Sequence, residues 1–157
     1  MIKTNYLKNK LNKGLPVIGT WIVVPSINNI DIISSAGLDF VIIDREHGPI
    51  TFETAQEMAI ACQARNVSPL MRVGDIEKSF IQNALDIGVH GIQIPNIETK
   101  DDALKVINYS KYPPIGDRGF SPYTRAGDYT NLNSKKLLNE FNSNTTVVLN
   151  IEGKNAI

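Results

Sequence analysis

The sequence predicts an α/β fold built from repeated strand–helix units. Two observations predict it. Short apolar runs rich in β-branched residues alternate with segments of helical periodicity, so that each run is followed by room for one helix and two short loops. Several of the runs are apolar without alternation, as parallel strands covered on both faces require. The predicted strands are 17–24, 40–43, 70–73, 91–94 and 146–151.

Cap and stop residues mark the helices between these strands. Thr51 and Thr99 are side chains that can accept a hydrogen bond from the first turn of a helix. Gly88 can end the third helix, and Pro113-Pro114 prevents the fourth from continuing. The predicted helices are 30–35, 52–64, 77–87 and 100–112.

Nothing in the sequence divides the chain, so residues 1–157 are predicted to form a single domain. Repeats, low-complexity tracts and linkers are absent from the sequence. The segment Ile115 to Asn133 is a long polar stretch rich in Gly, Asp, Tyr and Arg. Loops of this length are usually kept for function, the alternative being a mobile connection.

Two architectures accept this order of elements: an open doubly wound sheet and a (βα)8 barrel. The sequence contains neither of the glycine-rich phosphate loops, G-x-G-x-x-G or G-x-x-x-x-G-K-[ST], after a predicted strand, which weakens a nucleotide-binding version of the first. A complete barrel takes about 250 residues. On the second interpretation the 157 residues supply an incomplete barrel of about the first five βα units.

The charge balance argues against nucleic-acid and membrane partners. Sixteen basic residues balance sixteen acidic ones, so no broad field attracts phosphate backbones or anionic lipid. No run approaches the roughly 20 apolar residues of a membrane span or forms a signal peptide. The lone Cys62, in an apolar helical run, is predicted to be a small buried hydrophobe, and a cytoplasmic setting is expected.

Two acids and an imidazole follow the second predicted strand, in Asp44-Arg45-Glu46-His47-Gly48-Pro49. Asp44 could accept a hydrogen bond from one ring nitrogen of His47 and leave the other nitrogen as a base. The alternative is a capped turn on a wet surface. An isolated Asp-x-x-His favours that alternative, because paired ionisable groups mark function only statistically.

Two further charged residues lie on or after apolar strands. Arg72 interrupts the third strand, where a guanidinium needs an anionic partner. That partner could be a substrate carboxylate or enolate, or Asp44 or Glu46 in a structural ion pair. Glu152 follows the fifth strand, and a carboxylate there suits a hard divalent cation.

Taken in order, these segments resemble the metal-dependent pyruvate aldolase family of the HpcH/HpaI type. The resemblance runs from about Asn5 to the last residue and rests on the order and spacing of six segments. These are Leu15-Pro16-Val17-Ile18-Gly19-Thr20-Trp21, Ala36-Gly37-Leu38-Asp39-Phe40 leading into 44–49, Met71-Arg72-Val73, Leu85-Asp86-Ile87-Gly88 before Ile94-Pro95, Tyr112-Pro113-Pro114-Ile115-Gly116-Asp117-Arg118-Gly119, and Asn150-Ile151-Glu152.

The resemblance implies a (βα)8 barrel, an enzyme that cleaves a 2-oxo-hydroxy acid to pyruvate and an aldehyde through a pyruvate enolate, and a homo-oligomer. It implies a Mg²⁺ or Mn²⁺ cofactor held by Glu152 and by a second carboxylate beyond Ile157. The remaining roles implied are enolate stabilisation for Arg72, proton management through a water for His47 and Asp44, orientation for Glu46, and contact with substrate for Trp21 and Arg118. Two alternatives stay open: a non-catalytic remnant or interaction module, and a related lyase of malyl or citryl thioesters.

Overall fold

The computed structural model describes residues 4–129 and 134–154. Within these ranges the chain forms five strands and six helices in largely alternating order, and no helix is long and apolar enough to cross a membrane. The strands are β1 (Gly19–Ile22), β2 (Phe40–Asp44), β3 (Ser68–Arg72), β4 (Gly91–Ile97) and β5 (Thr146–Ile151). The helices are α1 (Tyr6–Leu11), α2 (Ile27–Ser34), α3 (Phe52–Ala64), α4 (Lys78–Asp86), α5 (Lys100–Ser110) and α6 (Ser134–Asn144).

The five strands make one sheet in the order of the sequence, and every neighbouring pair is parallel. This order excludes the open doubly wound alternative, in which strand order reverses at a switch point. The sheet also curves strongly, because the Trp21 side chain on β1 reaches the Gln93 side chain on β4, three strands away. A curved, sequentially ordered parallel sheet is the wall of a βα barrel.

The larger apolar core lies on the convex face, between the sheet and its helices. Alternate residues of the strands, such as Val41 and Ile43 of β2, are fully buried there against α3 and α4. Cys62 of α3 belongs to this core, and burial raises the pKa of its thiol to about 12. Cys62 is therefore a small buried hydrophobe, as predicted.

The concave face of the sheet is divided into two layers along the strands. Near the strand starts it is apolar: Ile42 and Leu70 pack with Leu7 of α1, and Phe40 and Val148 border them. Two residues beyond Ile42, Leu70 and Val148, the same face carries the polar side chains of Asp44, Arg72 and Asn150, since every second side chain of a strand lies on the same face. Gln93 is the register partner of Arg72, and its hydrogen bonds with Trp21 and Asn150 bring these two side chains to the same polar layer.

Helices α1 and α6 were not predicted from the sequence. Both are capped or anchored by polar contacts. The Asn5 side chain accepts a hydrogen bond from the backbone N–H of Lys8 and so caps the six-residue α1. The predicted polar loop 115–133 is largely non-helical where it is described, and its residues 130–133 lie outside the described ranges. The β4 strand continues to Ile97, beyond its predicted end at Ile94, with a register irregularity between these two residues.

Candidate active site

A tight turn follows β2 and is organised by the Asp44 carboxylate. Asp44 is 1% exposed, and its Oδ1 accepts hydrogen bonds from the backbone N–H groups of Glu46 (3.0 Å) and His47 (3.3 Å). Gly48 completes the turn at close range, since a Cβ there would lie 2.4 Å from the Asp44 carbonyl oxygen and 2.9 Å from that of Val23. The backbone that carries Glu46 and His47 is therefore fixed by local contacts.

The same carboxylate binds Arg72 across the sheet. Asp44 and Arg72 are register partners at the ends of β2 and β3. Arg72 donates from Nε to Asp44 Oδ1 (2.9 Å) and from Nη2 to Oδ2 (2.5 Å), a bidentate charge-assisted pair. The Asp44 and Arg72 side chains are only 2% and 17% exposed. The structural ion pair considered from the sequence is thus present, and it involves both candidate acids.

Glu46 is the second acid on this guanidinium. Its Oε2 lies 3.1 Å from Arg72 Nη1. Among the described residues this buried oxygen accepts no hydrogen bond, so the contact is one of charge rather than of directed bonding. Arg72 therefore lies between two carboxylates, one bound in good geometry and one with acceptor capacity unused.

The contacts of this cluster fix its charges. Burial raises the pKa of Asp44, but hydrogen bonds from Arg72 and from the backbone N–H groups of the turn outweigh it, so the pKa lies below its ordinary value. The hydrogen bonds to Asp44 raise the pKa of Arg72, as do the nearby charges of Glu46 and Glu152. Asp44 is an anion and Arg72 a cation throughout the neutral range.

His47 lies at the open rim of the cluster. Its side chain is 70% exposed, and its Nε2 is 3.9 Å from Glu46 Oε1. The sequence suggested that Asp44 holds the imidazole through a ring nitrogen. Within the described residues Asp44 instead binds the backbone N–H of His47, because Arg72 occupies both carboxylate oxygens. The carboxylate beside the ring is that of Glu46.

A chain of amide hydrogen bonds lines the adjacent part of the polar layer. Trp21 Nε1 donates to Gln93 Oε1 (3.0 Å), and Gln93 Nε2 donates to Asn150 Oδ1 (2.8 Å). Gln93 is 4% exposed and is the register partner of Arg72, which places it in the same layer. Gln93 is not among the residues predicted from the sequence, although a polar residue inside an apolar strand is the signal that identified Arg72.

Glu152 lies directly after β5 at the same edge of the sheet. Its Oε2 accepts a hydrogen bond from the backbone N–H of Asn96 (2.9 Å). Asn96 has φ +55°, and it falls where the register between β4 and β5 shifts. Asparagine tolerates this left-handed conformation better than most residues, so the irregularity aims an N–H group at the carboxylate. No sequence pattern indicated this contact.

The donor set at this edge fits one ligand of a hard cation. Glu152 is exposed and has one carboxylate oxygen engaged by Asn96. Carboxylate oxygens are the ligands that Mg²⁺ and Mn²⁺ prefer. In the part of the chain that the structure describes, no group of three or more His, Cys, Asp or Glu side chains could hold a metal. Glu152 would therefore need partners from outside these residues.

Arg118 lies away from this cluster. It is 4% exposed, donates from Nη2 to Asp86 Oδ1 (2.6 Å) and places its guanidinium 4.5 Å from the centre of the Tyr112 ring. Asp86 ends α4, a helix that runs back toward the strand starts. The structure thus brings together Trp21, Asp44, Glu46, His47, Arg72 and Glu152 at the carboxyl ends of the strands, with Arg118 near the opposite end.

Comparisons with known proteins agree with the fold. The sequence profile of the HpcH/HpaI aldolase/citrate lyase family matches residues 18–157. The 2-keto-3-deoxy-L-rhamnonate aldolase of Escherichia coli O17:K52:H18 is 30% identical over 155 residues, which are 98% of this chain and 57% of that protein. The pyruvate aldolase of Rhizobium etli is 34% identical over 125 residues, 80% of this chain and 49% of that protein.

Among solved structures, the HpcH/HpaI aldolase of Desulfitobacterium hafniense superposes with a TM-score of 0.89 at 30% identity, over 96% of this chain and 58% of that one. The chain therefore spans about half the length of the curated relatives it matches. The prediction of an incomplete barrel built from about five βα units is confirmed. The chain belongs to the HpcH/HpaI aldolase/citrate lyase family.

Proposed function

We propose that this chain supplies the pyruvate-binding part of the active site of a metal-dependent carbon–carbon lyase. The reaction is the reversible aldol cleavage of a 2-oxo-hydroxy acid to pyruvate and an aldehyde. One observation carries the proposal: Arg72 is held by Asp44 and Glu46 in a polar layer at the carboxyl ends of the strands, beside Glu152. Barrel enzymes place their chemistry at this end.

Arg72 is the residue we assign to the oxyanion. Cleavage leaves the electron pair of the broken carbon–carbon bond on pyruvate, whose keto oxygen then becomes the enolate oxygen. A guanidinium fixed before the reaction stabilises that charge without reorganising. The bidentate contact with Asp44 engages Nε and Nη2, and Nη1 faces Glu46, so the orientation of the guanidinium is set from two sides.

His47 is the residue we assign to proton transfer. In the cleavage direction, a base must take the proton of the hydroxyl whose carbon becomes the aldehyde, and an acid must return a proton to the methylene carbon of the enolate. His47 is 70% exposed at the rim, where a bound water can relay these protons. Asp44 acts on His47 through the turn backbone, and Glu46 acts on it by charge at 3.9 Å.

Glu152 is the residue that would hold a Mg²⁺ or Mn²⁺ cofactor, together with a second carboxylate expected beyond Ile157. Such a cation, when bound, supplies Lewis-acid polarisation of the pyruvate keto group. The Asn96 N–H group holds one oxygen of Glu152 and so orients the carboxylate. Trp21, fixed by Gln93, is proposed to line the pyruvate pocket.

Four further expectations from the sequence bear on this proposal. Arg118 is buried beside Asp86, away from the other site residues, so its expected contact with substrate is not part of the proposal. The assembly is expected to be a homo-oligomer, which light scattering of the purified protein tests. A cytoplasmic location and a single domain over residues 1–157 also stay predictions.

A second candidate is a lyase that acts on citrate or on malyl or citryl thioesters. The description of the matching family includes citrate lyases as well as aldolases, and both chemistries pass through a stabilised enolate. Supplying the purified protein with pyruvate plus an aldehyde, or with a citryl or malyl thioester, separates the two. If the protein turns over neither set of substrates and does not bind pyruvate, the result would indicate a non-catalytic module of the same fold.

The experiment that tests the proposal follows exchange of the pyruvate methyl protons for deuterium by NMR, with Mg²⁺ or Mn²⁺ present. We expect metal-dependent exchange that falls by about 10²-fold or more in Arg72→Ala and by roughly 10²- to 10⁴-fold in His47→Ala. Arg65→Ala is the matched control, because Arg65 is exposed and pairs only with Asp31 among the described residues. Exchange that persists in Arg72→Ala would contradict the assigned role.

A further inference from the structure

A cavity of about 60 Å³ lies at the end of the sheet opposite to the proposed active site. It is lined by residues that precede β4 and β5, such as His90 and Thr145, and by Arg118 and Arg125 of the loop after α5. We propose that this cavity, called the Arg118–Arg125 cavity below, binds a small oxyanion of the size of inorganic phosphate. The inference is independent of the proposed lyase activity.

Two buried N–H donors without acceptors carry the argument. The Nε atoms of Arg118 and Arg125 are both buried, and neither has a hydrogen-bond acceptor among the described residues. An unsatisfied buried donor costs free energy comparable to a lost hydrogen bond, and a guanidinium donor costs more than a neutral one. Two such donors on the wall of one cavity indicate a ligand with several acceptor oxygens.

The two guanidinium groups differ in how their charge is compensated. Arg118 is paired with Asp86 through Nη2 at 2.6 Å. Arg125 donates from Nη2 to the neutral side-chain oxygen of Gln63 at 2.5 Å, and no ion pair of Arg125 is formed within the described residues. Burial lowers the pKa of Arg125, which reflects the cost of desolvating a cation with so little compensation. An anion in the cavity would supply that compensation.

The surroundings of the cavity add positive charge. Lys8 and Lys111 both donate to the carbonyl oxygen of Thr145, at 3.1 and 2.8 Å, and Thr145 lines the cavity. Burial lowers the pKa of Lys111 to about 8, with further lowering by the charges of Lys8 and Arg118. Of the carboxylates, Asp128 lines the cavity and Asp86 pairs with Arg118.

The size and lining of the cavity restrict the ligand. The cavity, at about 60 Å³, is small. A ligand as small as a single phosphate group is therefore the one we propose for it. Leu85, Val89 and Phe141 make part of the wall apolar, which strengthens charge-assisted bonds to the ligand.

Gly88 makes the position of Arg125 possible. It has φ +85°, and a Cβ at this position would lie 2.9 Å from Cγ of Arg125. The absence of a side chain at Gly88 lets the stem of Arg125 pack over the turn between α4 and β4. The arginine is therefore held over the cavity by packing on one side and by Gln63 on the other.

The test is calorimetric titration of the purified protein with inorganic phosphate at constant ionic strength. We expect saturable binding to one site that weakens about tenfold or more in Arg125→Met, the loss that removal of one charge-assisted hydrogen bond produces. Arg65→Met is the matched control, since it removes an exposed arginine elsewhere on the surface, and it should bind phosphate as the unaltered chain does. Thermal melts without phosphate establish that each variant folds.

The proposal can be overturned in either of two comparisons, one with the Arg65 variant and one with an Arg72 variant. An equal loss in the Arg125 and Arg65 variants would overturn it, as would the absence of saturable binding to the unaltered chain. So would binding that survives in Arg125→Met and disappears in Arg72→Lys, because that phosphate would lie in the proposed active site. If Arg125→Met does not fold, Arg125→Lys replaces it: it keeps the charge but lacks the Nε donor, and unchanged affinity in this variant also overturns the proposal.

Discussion

The buried pair of Asp44 and Arg72 gives the sharpest stability prediction. The substitution Asp44→Asn keeps the size of the side chain but removes the charge that binds Nε and Nη2 of Arg72. Breaking a buried ion pair costs about 3–5 kcal/mol when the remaining charge is uncompensated. Here Glu46 stays 3.1 Å from Nη1 and Arg72 is 17% exposed, so the lower range for hydrogen bonds to charged groups applies, about 1.5–3 kcal/mol.

The chain contains a matched control for this experiment. Asp31 and Arg65 form the same bidentate contact, with Nε–Oδ1 at 2.8 Å and Nη2–Oδ2 at 3.0 Å, but both side chains are about half exposed. Exposed pairs contribute about 0–1 kcal/mol. Asp31→Asn should therefore leave the free energy of unfolding nearly unchanged. The comparison isolates the effect of burial from that of geometry.

Urea unfolding, followed by the fluorescence of the lone Trp21, measures the free energy of unfolding of both variants. For a domain of this size, the loss in Asp44→Asn corresponds to a fall in Tm of roughly 3–12 °C. Because the folded pKa of Asp44 is lowered, its contribution is fully present above the unfolded value near pH 4 and is lost as the pH falls through the folded value. The difference between the unaltered chain and Asp44→Asn should thus be constant near neutrality and shrink below about pH 4. Equal losses in Asp44→Asn and Asp31→Asn would refute the reasoning.

Three other outcomes follow from the structure. Gly48→Ala forces a Cβ to within 2.4 Å of a carbonyl oxygen, so it should lower the free energy of unfolding in urea by about 1–3 kcal/mol. Gly74→Ala is the control: the nearest atom to its Cβ would be 3.8 Å away, so this variant should keep the stability of the unaltered chain. Gln93→Leu removes the acceptor of the Trp21 indole, so acrylamide should quench the fluorescence of Trp21 more strongly; unchanged quenching would mean that Gln93 does not hold the ring. Because burial lowers the pKa of Lys111 to about 8, this residue binds more protons in the unfolded chain than in the folded chain between about pH 8 and 10.5. The Tm of the unaltered chain, measured relative to that of Lys111→Met, should therefore rise with pH through this window. Equal pH slopes would count against a buried charge at this position.

Much of the fold follows from local sequence signals. The apolar, β-branched strands and the Thr51 and Thr99 caps are visible in the sequence, and both threonine side chains do accept the expected backbone hydrogen bonds. Helix α6 is strongly polar and depends on contacts distant in sequence, among them that of Lys111 with the carbonyl oxygen of Asn142. Such contacts leave no local pattern, which is why α6 was missed.

The residues of the candidate site could be predicted from the sequence, but their contacts could not. Asp44, Arg72 and Glu152 could be identified because a charge on or after an apolar strand is locally anomalous. Their pairing could not, because one carboxylate can bind either an imidazole or a guanidinium, and only the register of β2 with β3 places Arg72 opposite Asp44. The orientation of Glu152 by Asn96 depends on a register shift between β4 and β5. Register is a property of the assembled sheet rather than of either strand.

The most direct test of the central claim is a thermal melt of the chain with and without Mn²⁺ plus oxalate, a stable mimic of the pyruvate enolate. At about 100 times its dissociation constant the ligand should add about 2.7 kcal/mol, a rise in Tm of roughly 5–11 °C. Glu152→Gln should abolish the rise, while Glu53→Gln, at an exposed position on α3, should retain it. A cooperative transition that does not respond to Mn²⁺ and oxalate would contradict a pyruvate and metal site built from these residues.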